Sequence, residues 1–160
     1  MIKISIKGGI IIRRKDLEVT DFNEIVNFID SSEVVRLGLK DDDYAYVVPL
    51  AFGYEVVNNE IIIYIHSASE GHKIDLINRN SNVFVEFDNI IRFYDITCKY
   101  NSVMAHGHAE LVEDIEDKTH AYKLMLKHCK LEYNEINKIA ECPAIVYKII
   151  LKDITAKYHE

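Results

Sequence analysis

Cysteine is scarce in this chain: Cys98, Cys129 and Cys142 stand far apart, with neither a C-x-x-C pair nor a finger-like array. A disulfide framework or a structural zinc site therefore lacks its usual parts, and reduced thiols are expected. Long apolar runs are missing as well. No stretch approaches the roughly 20 residues of a membrane helix, and Met1 to Ile12 is interrupted by Lys3, Lys7 and Gly8-Gly9. The expectation is a cytoplasmic protein with no membrane partner. Positive charge is in deficit, with 19 Lys and Arg against 26 Asp and Glu and a net charge of −7. A broad nucleic-acid surface needs clustered cations, so that partner is not expected, although local basic residues can still take a small acidic ligand. There is no nucleophile elbow, no Walker loop and no Gly-x-Gly-x-x-Gly run, which removes the parts of a hydrolase, a nucleotide triphosphatase and a Rossmann dehydrogenase.

What the chain does have is enough apolar material for one core. Its 160 residues are 49% hydrophobic, with no low-complexity tract to mark a second domain. One domain is expected over residues 13–160, with 1–12 as an N-terminal extension. Ile2, Ile4 and Ile6 alternate with Lys3, Ser5 and Lys7 as an edge strand would. Lys7-Gly8-Gly9 is also what a translated ribosome-binding sequence would give, so the natural start is expected near Arg13.

Asp21 followed by Glu24 resembles a capping box, and Ile25, Phe28 and Ile29 give a short amphipathic helix ending at Ser31-Ser32. Val34 to Leu39 reads as a strand, Asp41-Asp42-Asp43 as its turn, and Tyr44 to Tyr54 as one longer strand in which Pro49 marks an edge or a bulge. Asn58-Asn59 supplies a hairpin turn into Glu60–His66. A helix from Gly71 ends around Asn78-Arg79-Asn80, and Val83, Val85 and Phe87 line the inward face of a further strand. The pattern over Asn89–Lys99 fixes no element. From Ser102 to Val112 alternation is clean, with Val103, Ala105, Gly107, Ala109 and Leu111 on one face; small residues there fit a narrow barrel. Glu113-Asp114 opens a helix through Ile115, Thr119, Tyr122, Leu126 and Cys129, a weaker helical pattern spans Glu132–Ala140, and Ala144–Thr155 closes the chain as one strand. About six mostly antiparallel strands with interposed helices make an α+β barrel.

Chemistry concentrates at Tyr64-Ile65-His66-Ser67-Ala68-Ser69-Glu70-Gly71-His72-Lys73, where alternation stops and helical spacing begins. Ser67, Ser69 and Glu70 are the expected first-turn residues. Free backbone N–H groups and the positive end of the helix dipole suit an anion, and Ser67, His72 and Lys73 add donors, which points to a phosphate-bearing cofactor. The simpler reading is a plain helix cap with a solvated lysine. His106-Gly107-His108 places two imidazoles on one strand face, but no acid or cysteine at ligand spacing completes a metal site, and none is expected. His120, His128 and His159 read as surface residues.

Several segments in chain order carry a resemblance: Arg13-Arg14-Lys15-Asp16 with Thr20-Asp21, Val35-Arg36-Leu37-Gly38-Leu39, Tyr46-Val47-Val48-Pro49-Leu50-x-Phe52-Gly53-Tyr54, Tyr64-x-His66-Ser67-Ala68-x-x-Gly71-x-Lys73, and Tyr100-x-Ser102-Val103-Met104 before Gly107. Together they resemble the Nim group, the nitroimidazole-resistance-type proteins of the pyridoxamine-phosphate-oxidase-like FMN-binding split-barrel superfamily. The resemblance implies a six-stranded, mostly antiparallel split β-barrel with flanking helices, a homodimer, and one FMN in each interface groove. It implies that Val48, Pro49 and Leu50 flank the flavin ring, that His66, Ser67 and Ala68 line its edge and ribityl chain, and that Lys73 with His72 holds the phosphate. Tyr100 and Ser102 would come from the partner subunit. Two positions depart from the pattern. His72 stands where many relatives carry Arg, so FMN affinity is expected to fall as pH rises through about 6.5. Ala156 stands where relatives usually have Gly.

The function this implies is an FMN-dependent oxidoreductase passing electrons from reduced flavin to a small oxidant such as a nitroaromatic compound, with His66 as proton donor or as a plain cofactor contact. The alternatives are a non-catalytic FMN store or sensor, a pyridoxamine-phosphate oxidase proper, and a heme binder using His66, His106 or His108.

Overall fold

The computed structural model describes residues 10–132 and 143–160. A single 3-10 turn (Lys15–Leu17) leads into β1 (Glu18–Val19), α1 (Phe22–Ser31), β2 (Val35–Asp41), β3 (Tyr44–Leu50), β4 (Gly53–Val57) and β5 (Glu60–Ser67). Then follow α2 (His72–Arg79), β6 (Asn82–Tyr94), β7 (Thr97–Val112), α3 (Ile115–His128), β8 (Ile145–Ile150) and β9 (Lys152–His159). Every pairing among the described residues is antiparallel. The strands run β3-β2-β6-β7-β8-β5-β4, with β9 on β7 and β1 on β9, so β3 and β4 are the two ends of the path. The fold is α+β: an open antiparallel sheet forming a split barrel with flanking helices.

β7 joins the halves. It pairs with β6 through His108, with β9 between Tyr100 and His106, and with β8 between Ala109 and Val112. The handover from β9 to β8 falls at Gly107, where a Cβ would lie 2.3 Å from Ile149 Cγ2. Ala105 and Ala109 are buried beside it, so the run of small residues does face a narrow interior. Phe52, Phe87, Leu37, Ile61, Ile63, Ile65, Val85, Val103 and Ile149 fill that interior. Burying each large side chain is worth about 1.5–3 kcal/mol.

Helix starts follow local chemistry. Asp21 Oδ1 accepts from the Glu24 N–H at 2.9 Å, and Asp114 Oδ1 accepts from Glu116 and Asp117 N–H at 2.8 and 3.1 Å. Both satisfy donors that a helix cannot pair internally. Asn58 and Asn59 take positive φ of 51° and 65°, as the hairpin turn requires.

Several expectations are corrected. Among the described residues the sheet has nine strands, because two expected strands are each broken and β1 is added. Tyr44–Tyr54 is broken at Ala51-Phe52 into β3 and β4, since Phe52 turns fully into the core while the chain crosses between sheet ends. The closing run is broken at Leu151 into β8 and β9, with Asp153 at positive φ. Pro49 marks an edge rather than a bulge: β3 is a terminal strand and Pro49 stays in regular register with Arg36. Leu111 is half-exposed, because its end of β7 runs beyond the core. Residues 89–99 form the end of the β6–β7 hairpin, turning at Asp95. Ile10 to Ile12 are not in a strand; 1–9 and the helical pattern beyond Glu132 lie outside the described residues.

His120 and His128 do more than face solvent. His120 Nε2 lies 3.0 Å from Glu55 Oε2, and His128 Nε2 donates to the Ser32 carbonyl at 2.8 Å while its ring packs 4.1 Å from Phe52. These contacts seat α3 on β4 and β5. Close approach makes that possible: a Cβ on Gly53 would sit 2.4 Å from the Met125 backbone nitrogen. The second face of β5 is thereby covered, and Tyr64 is buried with Ala121, Tyr122, Met125 and Val146.

Candidate functional site

The candidate site forms where β5 outruns its neighbour. Gly53 pairs with Tyr64, after which β4 has no residue to offer, while His66 and Ser67 continue along β8 opposite Val146 and Ile145. His66 and Ser67 therefore edge the split in the barrel. Ala68, Ser69 and Glu70 follow as exposed turn residues, and the helix begins at His72, so the serines and glutamate precede its first turn.

Gly71 makes this entry. Its φ of 122° and ψ of 166° lie in a region that side chains exclude. Unlike α1 and α3, α2 has no side-chain cap on its first N–H groups. The first turn thus offers donors outward, with the dipole's positive end behind them.

Lys73 stands in that first turn, half-buried, and burial pushes its pKa below the ordinary lysine value. Among the described residues it has no acidic partner. Its charge bears on His66 instead. Burial and, second, the Lys73 ammonium hold the His66 imidazole below the usual histidine range. The His66 ring also lies 5.9 Å from that of Tyr122 on α3.

His72 points elsewhere. Its Nε2 is 2.8 Å from Asp41 Oδ2, and Arg79, two turns on, donates to Asp41 and Asp42 at 3.2 and 3.5 Å. The His72 hydrogen bond, followed by Arg79, holds the Asp41 carboxyl below its usual pKa. The positive charge that protonated His72 could offer an anion is therefore shared with Asp41. The same imidazole meets Tyr46 edge-on at 5.2 Å, which fastens the α2 N-terminus to β3.

Through that contact Tyr46 sets β3 beside the start of α2. Val48 and Leu50 share the Tyr46 face and pack on the core, whereas Pro49 and Val47 point outward. His66, Ser67, Ala68, His72 and Lys73 thus run from the end of β5 into the start of α2, which Tyr46 ties to β3, and Val48, Pro49 and Leu50 lie further along β3. Tyr100 and Ser102 do not join them. They sit far down β7, opposite His159 and Lys157, while the Ser67 end lies level with Val112 through β8. Ser102 to Val112 spans about 33 Å of strand.

Sequence reasoning missed Tyr46, Asp41 and Arg79 as the residues that fix α2, and Tyr122 as the neighbour of His66. Tyr122 carried a signal in its helical spacing, but nothing local said which strand α3 would cover. His106 pairs with Asp153 at 3.2 Å and His108 lies 3.3 Å from Ser81. Among the described residues no cluster of three metal-ligating side chains forms, and no helix is long and apolar enough to cross a membrane.

The donor set fits a phosphate ester: a half-buried lysine with no acidic partner among the described residues, uncapped N–H groups and a tight glycine entry. Comparison with known proteins agrees in fold. A solved structure from Bacteroides thetaiotaomicron, described as a candidate 5-nitroimidazole antibiotic resistance protein, is 28% identical with a TM-score of 0.76, over 89% of this chain and 86% of that one. A FAD-binding protein from Mesorhizobium loti is 22% identical with a TM-score of 0.66, over 89% and 97% of the two chains. A FAD- and heme-binding protein from Mycobacterium smegmatis is 13% identical with a TM-score of 0.65, over 89% and 73%. No curated protein sequence matches significantly. The pyridoxamine 5'-phosphate oxidase family model matches residues 21–158, and the chain belongs to that family.

Proposed function

We propose that the protein binds FMN and passes electrons from the reduced flavin to a small oxidant, with a nitroimidazole as the first candidate. The observation that carries this reading is Lys73: a half-buried ammonium with no acidic partner among the described residues, set in the uncapped first turn of α2. Such a group calls for an external anion, and a phosphate monoester is the anion that family membership suggests. The likeness to the Bacteroides protein favours the nitroimidazole, and the FAD-binding neighbour favours a flavin.

Each residue then has a task. Lys73 and the N–H groups of the α2 first turn bind the phosphate, while Asp41, through His72 and Arg79, keeps that turn in place. Val48, Pro49 and Leu50 hold the ring from the β3 side; Ser67 and Ala68 line its edge. The bound flavin supplies the electron-transfer chemistry. His66, whose pKa burial and Lys73 hold below the usual histidine range, would hold a hydrogen bond at the ring edge, and in its protonated form would pass a proton to the reduced product, to be replaced from solvent. Tyr100 and Ser102 of a partner subunit complete the pocket, so the active form is a homodimer.

The test is direct. The purified protein should show a flavin absorbance spectrum, and anaerobic reduction followed by a nitroimidazole should reoxidise it with loss of the nitro compound, three reduced flavins being consumed for each amine formed. Reoxidation by oxygen alone would leave a flavin store or sensor, and a Soret band would redirect the assignment to heme.

A further inference from the structure

We infer that Tyr122 of α3 is the positioning residue for His66: its ring backs the imidazole, while the Tyr64, Glu55 and His120 side chains tie the helix across β5. The step from contact to chemistry rests on the flavin reading, in which His66 passes the proton. His66 needs such a partner. It is the last residue but one of β5, beyond the end of β4, and it keeps an exposed edge. A side chain in that place is free to change rotamer unless something packs against it. Among the described residues, the ring that meets it is that of Tyr122, at 5.9 Å between centroids and tilted by 48°.

The helix brings that ring there through β5 itself. Ile62, Tyr64 and His66 share the face that α3 covers, because side chains alternate along a strand. Ala121 and Tyr122 are buried with Tyr64, and Met125 follows one turn on. Tyr64 then fixes the helix through its hydroxyl, which donates to Glu55 Oε1 at 2.8 Å. Burial and, second, that bond hold the phenol above the usual tyrosine range, so it stays a donor. The other Glu55 oxygen lies 3.0 Å from Nε2 of His120, two residues before Tyr122, and the His120 ring meets Tyr64 edge-on at 6.2 Å. One carboxylate thus joins β4, β5 and α3.

What faces His66 from each neighbouring element is defined. From α2 it is the Lys73 ammonium, and from α3 the Tyr122 ring. On β8 the apolar Val146 stands opposite, while Lys148, level with Tyr64, is paired with Glu110 at 3.0 Å. Asp117 on α3 bears on Tyr64 rather than on His66. Tyr122 therefore acts by shielding: it keeps water from one side of the imidazole and leaves the other side open. Held in that orientation, the protonated ring gives one proton to the nitro compound as it takes electrons from reduced flavin, and regains one from solvent.

Titration of the His66 ring by NMR, in the full chain without flavin, tests this. Tyr122→Leu removes the ring and should let the His66 pKa rise toward the ordinary histidine range, whereas Tyr122→Phe keeps the ring and should titrate like wild type. In the flavin-loaded protein, reoxidation by a nitroimidazole slows as pH rises past the His66 pKa. Tyr122→Leu should carry that limb to higher pH and lower the maximal rate roughly tenfold with little change in KM. If Tyr122→Leu fails to fold by circular dichroism, Glu55→Gln takes its place: a loosened α3 moves the His66 pKa up, whereas loss of a carboxylate charge alone moves it down. An unmoved or lowered pKa, a phenylalanine variant that shifts as far as the leucine one, or a reoxidation limb that stays while the pKa moves overturns the inference. Because the titration is read without flavin, a ring-dependent imidazole in a protein that never binds FMN sinks the flavin reading alone.

Discussion

The Lys73 ammonium acts on the His66 imidazole: together with burial, it keeps His66 from protonating in its ordinary range. A phosphate that neutralises Lys73 removes one of the two causes. The His66 pKa should therefore rise when inorganic phosphate or FMN binds, which a proton NMR titration of the imidazole reads directly. An unchanged pKa under saturating phosphate would place the anion elsewhere. Without ligand the depressed value has a stability sign. The folded state resists a proton that the unfolded chain accepts, so stability from this group is lost as pH falls below about 6.5.

Lys73 itself gives a paired prediction. Losing one charge-assisted contact to phosphate costs about 1.5–3 kcal/mol, so Lys73→Met should weaken FMN binding roughly 10- to 100-fold, and Lys73→Glu should abolish it. Because burial disfavours the charge and no acid among the described residues offsets it, Lys73→Met apoprotein should melt no lower than wild type. Thermal scans with and without FMN separate the two effects. A methionine variant that binds FMN normally defeats the assignment.

Asp41→Asn should loosen α2 rather than unfold the barrel. The pairs it breaks lie at the surface, where solvent screens them, and exchange of the α2 amides should quicken more than that of β5. The Asp41 carboxyl is depressed in the folded protein, so its contribution is present above about pH 4 and lost as pH falls through its lowered folded value. The variant also frees His72 from its acid.

Gly53→Ala tests the seat of α3. The new Cβ would meet the α3 backbone, 2.4 Å from Met125 N, and backbone cannot step aside as a side chain can. A loss of about 1–3 kcal/mol or more is expected in urea denaturation. At Gly107 the obstacle is the Ile149 side chain, so Gly107→Ala should cost less.

Much of the fold was legible because it is written in short windows. Alternation located β2, β5, β6 and β7; Asp21 and Asp114 marked helix starts; Asn58-Asn59 marked a turn. The breaks were not legible, since Ala51-Phe52 and Leu151 interrupt runs that still look like strand, and only the need to change neighbours in the sheet divides them. The site divides the same way. The strand-to-helix turn from Tyr64 to Lys73 was legible from its change of spacing, but the direction of His72 was not.

The sequence by itself determined periodicity, caps, turns and the family pattern, because each is set by residues within a few positions of one another. Tertiary structure alone decided that Asp41 takes His72 from 31 residues away and Arg79 from 38, and that α3 covers Tyr64. It also decided that Lys73 is left without an acid among the described residues while Tyr100 and Ser102 stand on a distant stretch of β7. Such pairings depend on which strands become neighbours. That is set by burying one shared core, and no local window contains it.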